Sequence, residues 1–216
     1  MKRKRPIDRP ENPQTVTQAA PCPWDRFETY RTTMEFSKLG RRGYKQHCGP
    51  TAITNALLSL DARNQELKGA SVFKKAYAPA DLFLEVARLG QRCLIYWNFA
   101  FFKRYGGGTF GPALGLYTWL SFRHFGIKNV NFSFRPLASR KALIHELDCG
   151  HLLVLQMFFN STYGSHVVVC CGYEDWTEPN GRTTRYIKIA DGWASRPRYM
   201  RLDQLRRFGF CSIEAF

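Results

Sequence analysis

YKQHCGPTAITNALLSL, residues 44–60, places a cysteine, a glycine and a proline in a row ahead of an apolar-periodic run. Ala52, Ile53, Ala56, Leu57 and Leu60 fall at i, i+1, i+4, i+5 and i+8, one face of an amphipathic helix. Pro50 suits a first helical turn, because the amide it lacks has no partner there. Cys48 therefore sits at a helix N-terminus or one residue before it. A thiol so placed feels the positive end of the helix dipole, which favours the thiolate. The alternative is a small buried residue that merely precedes a helix, since free cysteine is among the residues most often buried.

Working outward, residues 1–23 are rich in Pro, Gln, Thr and Arg and read as a flexible basic arm, with the ordered domain spanning 24–216. Downstream of the cysteine helix, DARNQELKGASVFKK (61–75) reads as loop and short helix, and PADLFLEVARLGQ (79–91) as a helix stopping at Gly90. RCLIYWNFAFF (92–102) is apolar and β-rich, and RYGGGTFG (104–111) is a loop without the Gly-Lys-Ser/Thr of a phosphate-binding P-loop. PALGLYTWLSFRHFG reads as a helix closed by Gly126, KNVNFSFRP as a short strand, and SRKALIHELDCG as a helix that Ser139 caps and Gly150 ends. HLLVLQMFF, SHVVVCCGYE and RYIKIADGW, separated by turn-like NSTYG and TEPNGRT, predict hairpin-connected antiparallel strands. Helices first and a twisted sheet second define an α+β domain.

The 216-residue chain is long enough for one core without disulfide staples, and 44% of it is hydrophobic. No run approaches the roughly 18 apolar residues of a membrane helix, and the basic start MKRKRP is followed by no apolar signal region. Seven scattered cysteines with no CxxC pair exclude a zinc ribbon or a thioredoxin-type motif. A cytoplasmic protein with mostly reduced thiols is expected, without membrane insertion. The net charge is +15, of which residues 1–45 supply +6. Such charge attracts nucleic acid, anionic membranes or acidic peptides non-specifically. Specific nucleic-acid recognition is not expected, because no zinc-finger, RNP or homeodomain pattern accompanies it.

Three residues line up in chain order: Cys48 before a helix, His166 opening the apolar strand in YGSHVVVCCGYE, and Asp191 just past the strand in YIKIADGW. A thiolate that attacks a carbonyl, an imidazole that shuttles the proton and a third polar group that holds the imidazole need only be brought together by the fold. On these residues the chain resembles the papain-like cysteine peptidases, closest to their C39-like bacterial branch. CGPTAITNAL matches the nucleophile helix, YGGGTFGPALGLYTWLSFRHFG the glycine-rich loop and following helix, and KALIHELDCGHLLVLQMF the helix–turn–strand segment. GSHVVVCCGYE matches the histidine strand and IKIADGWASRPRYM the strand carrying the acid, so the resemblance spans about residues 44–200. It implies a papain-like fold with the nucleophile helix packed on a C-terminal antiparallel sheet. It also implies catalytic roles for Cys48 (nucleophile), His166 (general base and acid) and Asp191 (orienting group).

One departure concerns the oxyanion-hole glutamine, which this family carries several residues before the cysteine. Six places back lies Arg42; Gln46, two places back, is the available candidate, with the Cys48 N–H as second donor. Losing one such donor typically costs about 100- to 1,000-fold in rate. Gly107 and Trp193 are candidate substrate contacts, Trp193 beside Asp191 either shielding the imidazole or packing in the core. His47 reads as a cleft-rim residue; His124, His145 and His151 read as structural, and Cys170 and Cys171 as facing opposite sides of a strand. A zinc site of Cys48, His166 and Asp191 would leave the helix-terminus placement of Cys48 unexplained, so no metal or cofactor is expected. The expected activity is hydrolysis of a peptide or isopeptide bond in a peptide or protein substrate, through a Cys48 thioester. Amide transfer on the same residues, and an idle papain-like module that binds an acidic partner or nucleic acid, are the alternatives.

Overall fold

The run opened by Cys48 is helix α1 (Cys48–Lys68) in the computed structural model, which describes residues 16–19, 46–97, 108–177, 180–193 and 197–214. Ile53, Ala56, Leu57 and Leu60 are fully buried or nearly so, each apolar side chain of that size contributing roughly 1.5–3 kcal/mol. The helix does not stop at the polar tract. Residues 61–68 continue it although most are exposed, since Arg, Gln, Glu, Leu and Lys are good helix formers even where no face needs burying. Gly69, at φ 65°, ends it by returning its N–H to the Gln65 carbonyl at 2.9 Å. Asp61 then folds the chain back, accepting from Ser71 Oγ at 2.6 Å and the Val72 amide at 2.8 Å.

Helix α2 (Pro79–Arg92) runs through Gly90 instead of stopping there. The glycine serves packing: a Cβ at position 90 would lie 2.5 Å from the Tyr117 ring. Strands β2 (Tyr96–Trp97) and β3 (Gly108–Thr109) pair as a short antiparallel ribbon; residues 98–107, including Gly107, lie outside the described residues. A 3₁₀ turn (Gly111–Ala113) leads into helix α3 (Leu114–His124), followed by Gly126 at φ 79°. Strand β4 (Asn131–Arg135) precedes helix α4 (Arg140–Asp148), which Ser139 Oγ caps by accepting from the Ala142 amide at 3.1 Å.

The remaining strands are β5 (Leu152–Asn160), β6 (Gly164–Thr177), β7 (Thr183–Ala190), β8 (Arg198–Arg201) and β9 (Phe208–Glu214). They form an antiparallel sheet in the order β4–β9–β5–β6–β7–β8. Strand β1 (Val16–Ala19) pairs with β6 at Glu174–Trp176, so part of the segment expected to be a free arm adds to the sheet where β5 has ended; residues 1–15 and 20–45 are outside the described set.

The central strands β5, β6 and β9 are buried on both faces over most of their length, which is why they read as nearly unbroken apolar runs. Val154, Val167, Val169, Cys171 and Ile213 pack with α1, α2 and α3, while Leu153, Leu155, Val168, Cys170 and Phe210 pack with α4. Cys170 and Cys171 accordingly face opposite sides. Among the described residues no helix is long and apolar enough to cross a membrane. The class is α+β, with α4 on the far side of the sheet from the cysteine helix.

Candidate active site

Cys48 is the first residue of α1 and half-buried, at one end of a cleft of about 490 Å³ that also takes in Gln46, Gln156, His166, Asp191 and Trp193. Burial pushes its thiol up; the main-chain amides of Val167, Gly49 and Cys48 itself pull the other way. Desolvation is the largest of these influences and opposes the bias toward thiolate expected at a helix N-terminus. The strand pairing explains how Val167 reaches it. The β6–β7 register begins only at Val169–Ala190, so two residues earlier the Val167 amide faces the helix terminus. Thr109 closes over the next residue, leaving no room for a side chain at Gly49, where a Cβ would lie 2.0 Å from Oγ1.

His166 is 7% exposed and its Nε2 lies 2.8 Å from the main-chain carbonyl of Asp191. A carbonyl only accepts, so Nε2 carries the proton and Nδ1 is left as the basic nitrogen. The ring is stacked on Tyr163 (centroids 5.3 Å apart, planes at 7°) and covered by Trp193 at 4.6 Å. Burial lowers its basicity; the Asp191 carbonyl and charge raise it, and a charge on His47 would lower it. In the alternation of β6, His166 has the parity of Val168, on the α4 face, whereas Cys48 packs on the Val167 face. They share the cleft because both lie at the end of the sheet that β7 has left.

Asp191 follows β7 and is 2% exposed, but its carboxylate does not hold the imidazole. Oδ2 accepts from the Tyr163 hydroxyl at 3.0 Å and from Arg198 Nη1 at 3.2 Å, and Oδ1 accepts from the Trp193 amide at 2.9 Å. The orienting contact passes through the backbone instead, a correction to the role expected for this residue. The side chain fixes the turn that presents the carbonyl. Gly192, at φ 74°, completes that turn against Thr51 of α1.

Gln46 is exposed at φ 50°, with its amide over Gly108, whose added Cβ would lie 3.6 Å from Oε1. It borders the cleft two residues before the start of α1. Trp193 is half-exposed, a cleft-rim aromatic that touches His166 and Tyr163 instead of entering the core. His47 lies in the cleft with Nδ1 at 2.8 Å from Thr51 Oγ1 and its ring edge-on to Phe83.

Two cleft residues escape the sequence reading. Tyr163 falls in a turn tract where an aromatic carries no pattern. Gln156 had a signal: it is the one polar side chain inside LLVLQMFF. Among the described residues no group of three or more His, Cys, Asp or Glu side chains is arranged to hold a metal ion. No family model matches the chain, and no curated protein matches its sequence.

Proposed function

We propose that the chain is a papain-like cysteine peptidase that cleaves a peptide or isopeptide bond through a thioester on Cys48. The observation that carries this is the meeting of residues 48, 166 and 191, from three separate elements, in one cleft, with His166 Nε2 occupied and Nδ1 free. Burial lowers the imidazole's pKa and raises the thiol's, which opposes charge separation before substrate arrives; in this reading the thiol proton moves to Nδ1 as sulfur attacks the carbonyl. In this reading the Cys48 N–H at the helix terminus and the Gln46 amide receive the developing oxyanion. His166 then protonates the departing amine, leaving the acyl group on sulfur. Water attacks the thioester while Nδ1 takes its proton, releasing the acid and the thiol. An amine in place of water gives amide transfer with the same groups. The setting in this reading is the cytoplasm, where a nucleophilic thiol stays reduced.

The test is acylation by a thiol-directed activated ester, read by mass spectrometry of the intact chain. Cys48→Ala is expected to abolish the fast-reacting site, and His166→Ala to slow it by about 100-fold or more. Undiminished fast labelling in Cys48→Ala removes the assignment.

A further inference from the structure

Gln156 has no part in that chemistry, yet it is built into the cleft. It lies on β5 directly opposite Val167, the residue whose amide reaches the Cys48 sulfur. It is 8% exposed, and among the described residues its carboxamide has no hydrogen-bond partner. Its position is also prepared. The carboxamide lies against the backbone of Gly111, where an added Cβ would sit 2.2 Å from Nε2 and 2.5 Å from Oε1. Gly111 is at the start of the turn into α3, so the strand and the turn hold the amide between them.

The surroundings select the ligand. Among the described residues that line the cleft the one carboxylate is Asp191, and it already accepts from Tyr163, Trp193 and Arg198. A carboxamide offers an N–H donor beside a C=O acceptor, and the group that satisfies both at once is another amide, in a two-bond ring. A carboxylate would face Oε1, an ammonium would face the Nε2 hydrogens, and an alkyl group would leave both unpaired.

We propose that Gln156, seated on Gly111, forms a subsite that recognises a primary carboxamide of the substrate, from a Gln or Asn side chain, since a trans main-chain amide points its N–H and C=O in opposite directions and cannot close the two-bond ring. The word substrate here rests on the peptidase reading; the amide recognition does not.

The test uses the full chain as Cys48→Ala, so that no chemistry intervenes. The Gln156 side-chain amide is assigned in ¹H–¹⁵N spectra by its loss in Gln156→Leu, then followed during titration with propionamide, N-methylacetamide, propionate and propylammonium. Propionamide is expected to give a saturable shift, about tenfold or more tighter than the two ions and tighter than N-methylacetamide, whose trans N–H and C=O cannot both reach the carboxamide. Gly111→Ala, which displaces the carboxamide without changing it, should reduce the amide to the level of the ions. Equal binding of all four probes, no saturable shift, or amide binding that survives Gln156→Leu overturns the subsite. So does a uniform loss of Cys48 acylation of about 100- to 1,000-fold in Gln156→Leu with the amide titration flat, which would make the residue an oxyanion donor. Failure of the peptidase reading shows separately, as Cys48-independent acylation with the titration intact.

Discussion

Asp191→Asn separates a carboxylate that orients the imidazole from one that only shapes its turn. The imidazole's partner is the main-chain carbonyl at 2.8 Å, which the substitution leaves in place. Trp193 can keep its bond to the amide oxygen, and the Tyr163 hydroxyl can rotate to accept from the new NH₂. Arg198 Nη1 cannot, because at 3.2 Å it would face a second donor. Among the contacts of the described residues the loss is one charge-assisted bond, worth about 1.5–3 kcal/mol, to a guanidinium whose side chain is 21% exposed and so partly rehydrated. We expect a net loss of about 2 kcal/mol, a fall in Tm of about 4–8 °C by calorimetry for a chain of this size. His166 should keep its proton on Nε2, read by long-range ¹H–¹⁵N correlation of the ring, and Cys48 acylation should fall by less than about tenfold. If the carboxylate set the tautomer, the folded variant would lose roughly 10⁴-fold. An Nδ1-protonated ring, or a loss of that size in a folded protein, refutes the backbone-held imidazole.

Gly90→Ala should destabilise by about 1–2 kcal/mol in urea unfolding, because overpacking against the fully buried Tyr117 and Tyr96 outweighs the helix-propensity gain of about 1 kcal/mol; a rise in stability would show that the rings yield. Burial pushes the Cys211 thiol up to about 12, so the folded state holds this proton after the unfolded chain, near 8.5, has released it. Stability present below about pH 8.5 should decline as pH rises toward about 12, and Cys211→Ala should flatten that part of the profile; an unchanged slope refutes the assignment. Iodoacetamide, whose displacement develops no oxyanion for the cleft to stabilise, should alkylate Cys48 more slowly at pH 7 than the exposed Cys93 and Cys149 even though activated esters acylate Cys48 fastest, with the alkylation rate climbing as the raised thiol ionises. A plateau of full reactivity below the ordinary imidazole value of about 6.5 would instead reveal a resting thiolate–imidazolium pair.

The α+β class could be read from local patterns because the helices α1 to α4 and the strands β5 to β7 each bury a face or both faces, and burial is what writes periodicity into sequence. Residues 61–68 hid in plain polarity, since a helix that buries nothing leaves propensity alone to mark it. Gly90 misled for the opposite reason: its small size answers to Tyr117, 27 residues away, and not to its own turn. The positions of Cys48, His166 and Asp191 were legible as residue types at element ends. What Asp191 does was not, because sequence shows side chains and the contact is made by a carbonyl. Gln156 stood out only as polarity within an apolar strand, and its meaning depends on Gly111 in a distant turn.

Strand β9 lies between β4 and β5, although it follows every other described element in the chain. Until it is synthesised, β5 lacks the neighbour that pairs with Leu152–Met157, and β4 has no strand to join. At about 5–20 residues per second, the ribosome thus delivers the cysteine helix, the histidine strand and the aspartate turn well before the sheet beneath them can close. The order of synthesis is thus a sequence of parts: the groups of the cleft are made before β9, and the sheet beneath them is complete only once β9 has joined β4 and β5.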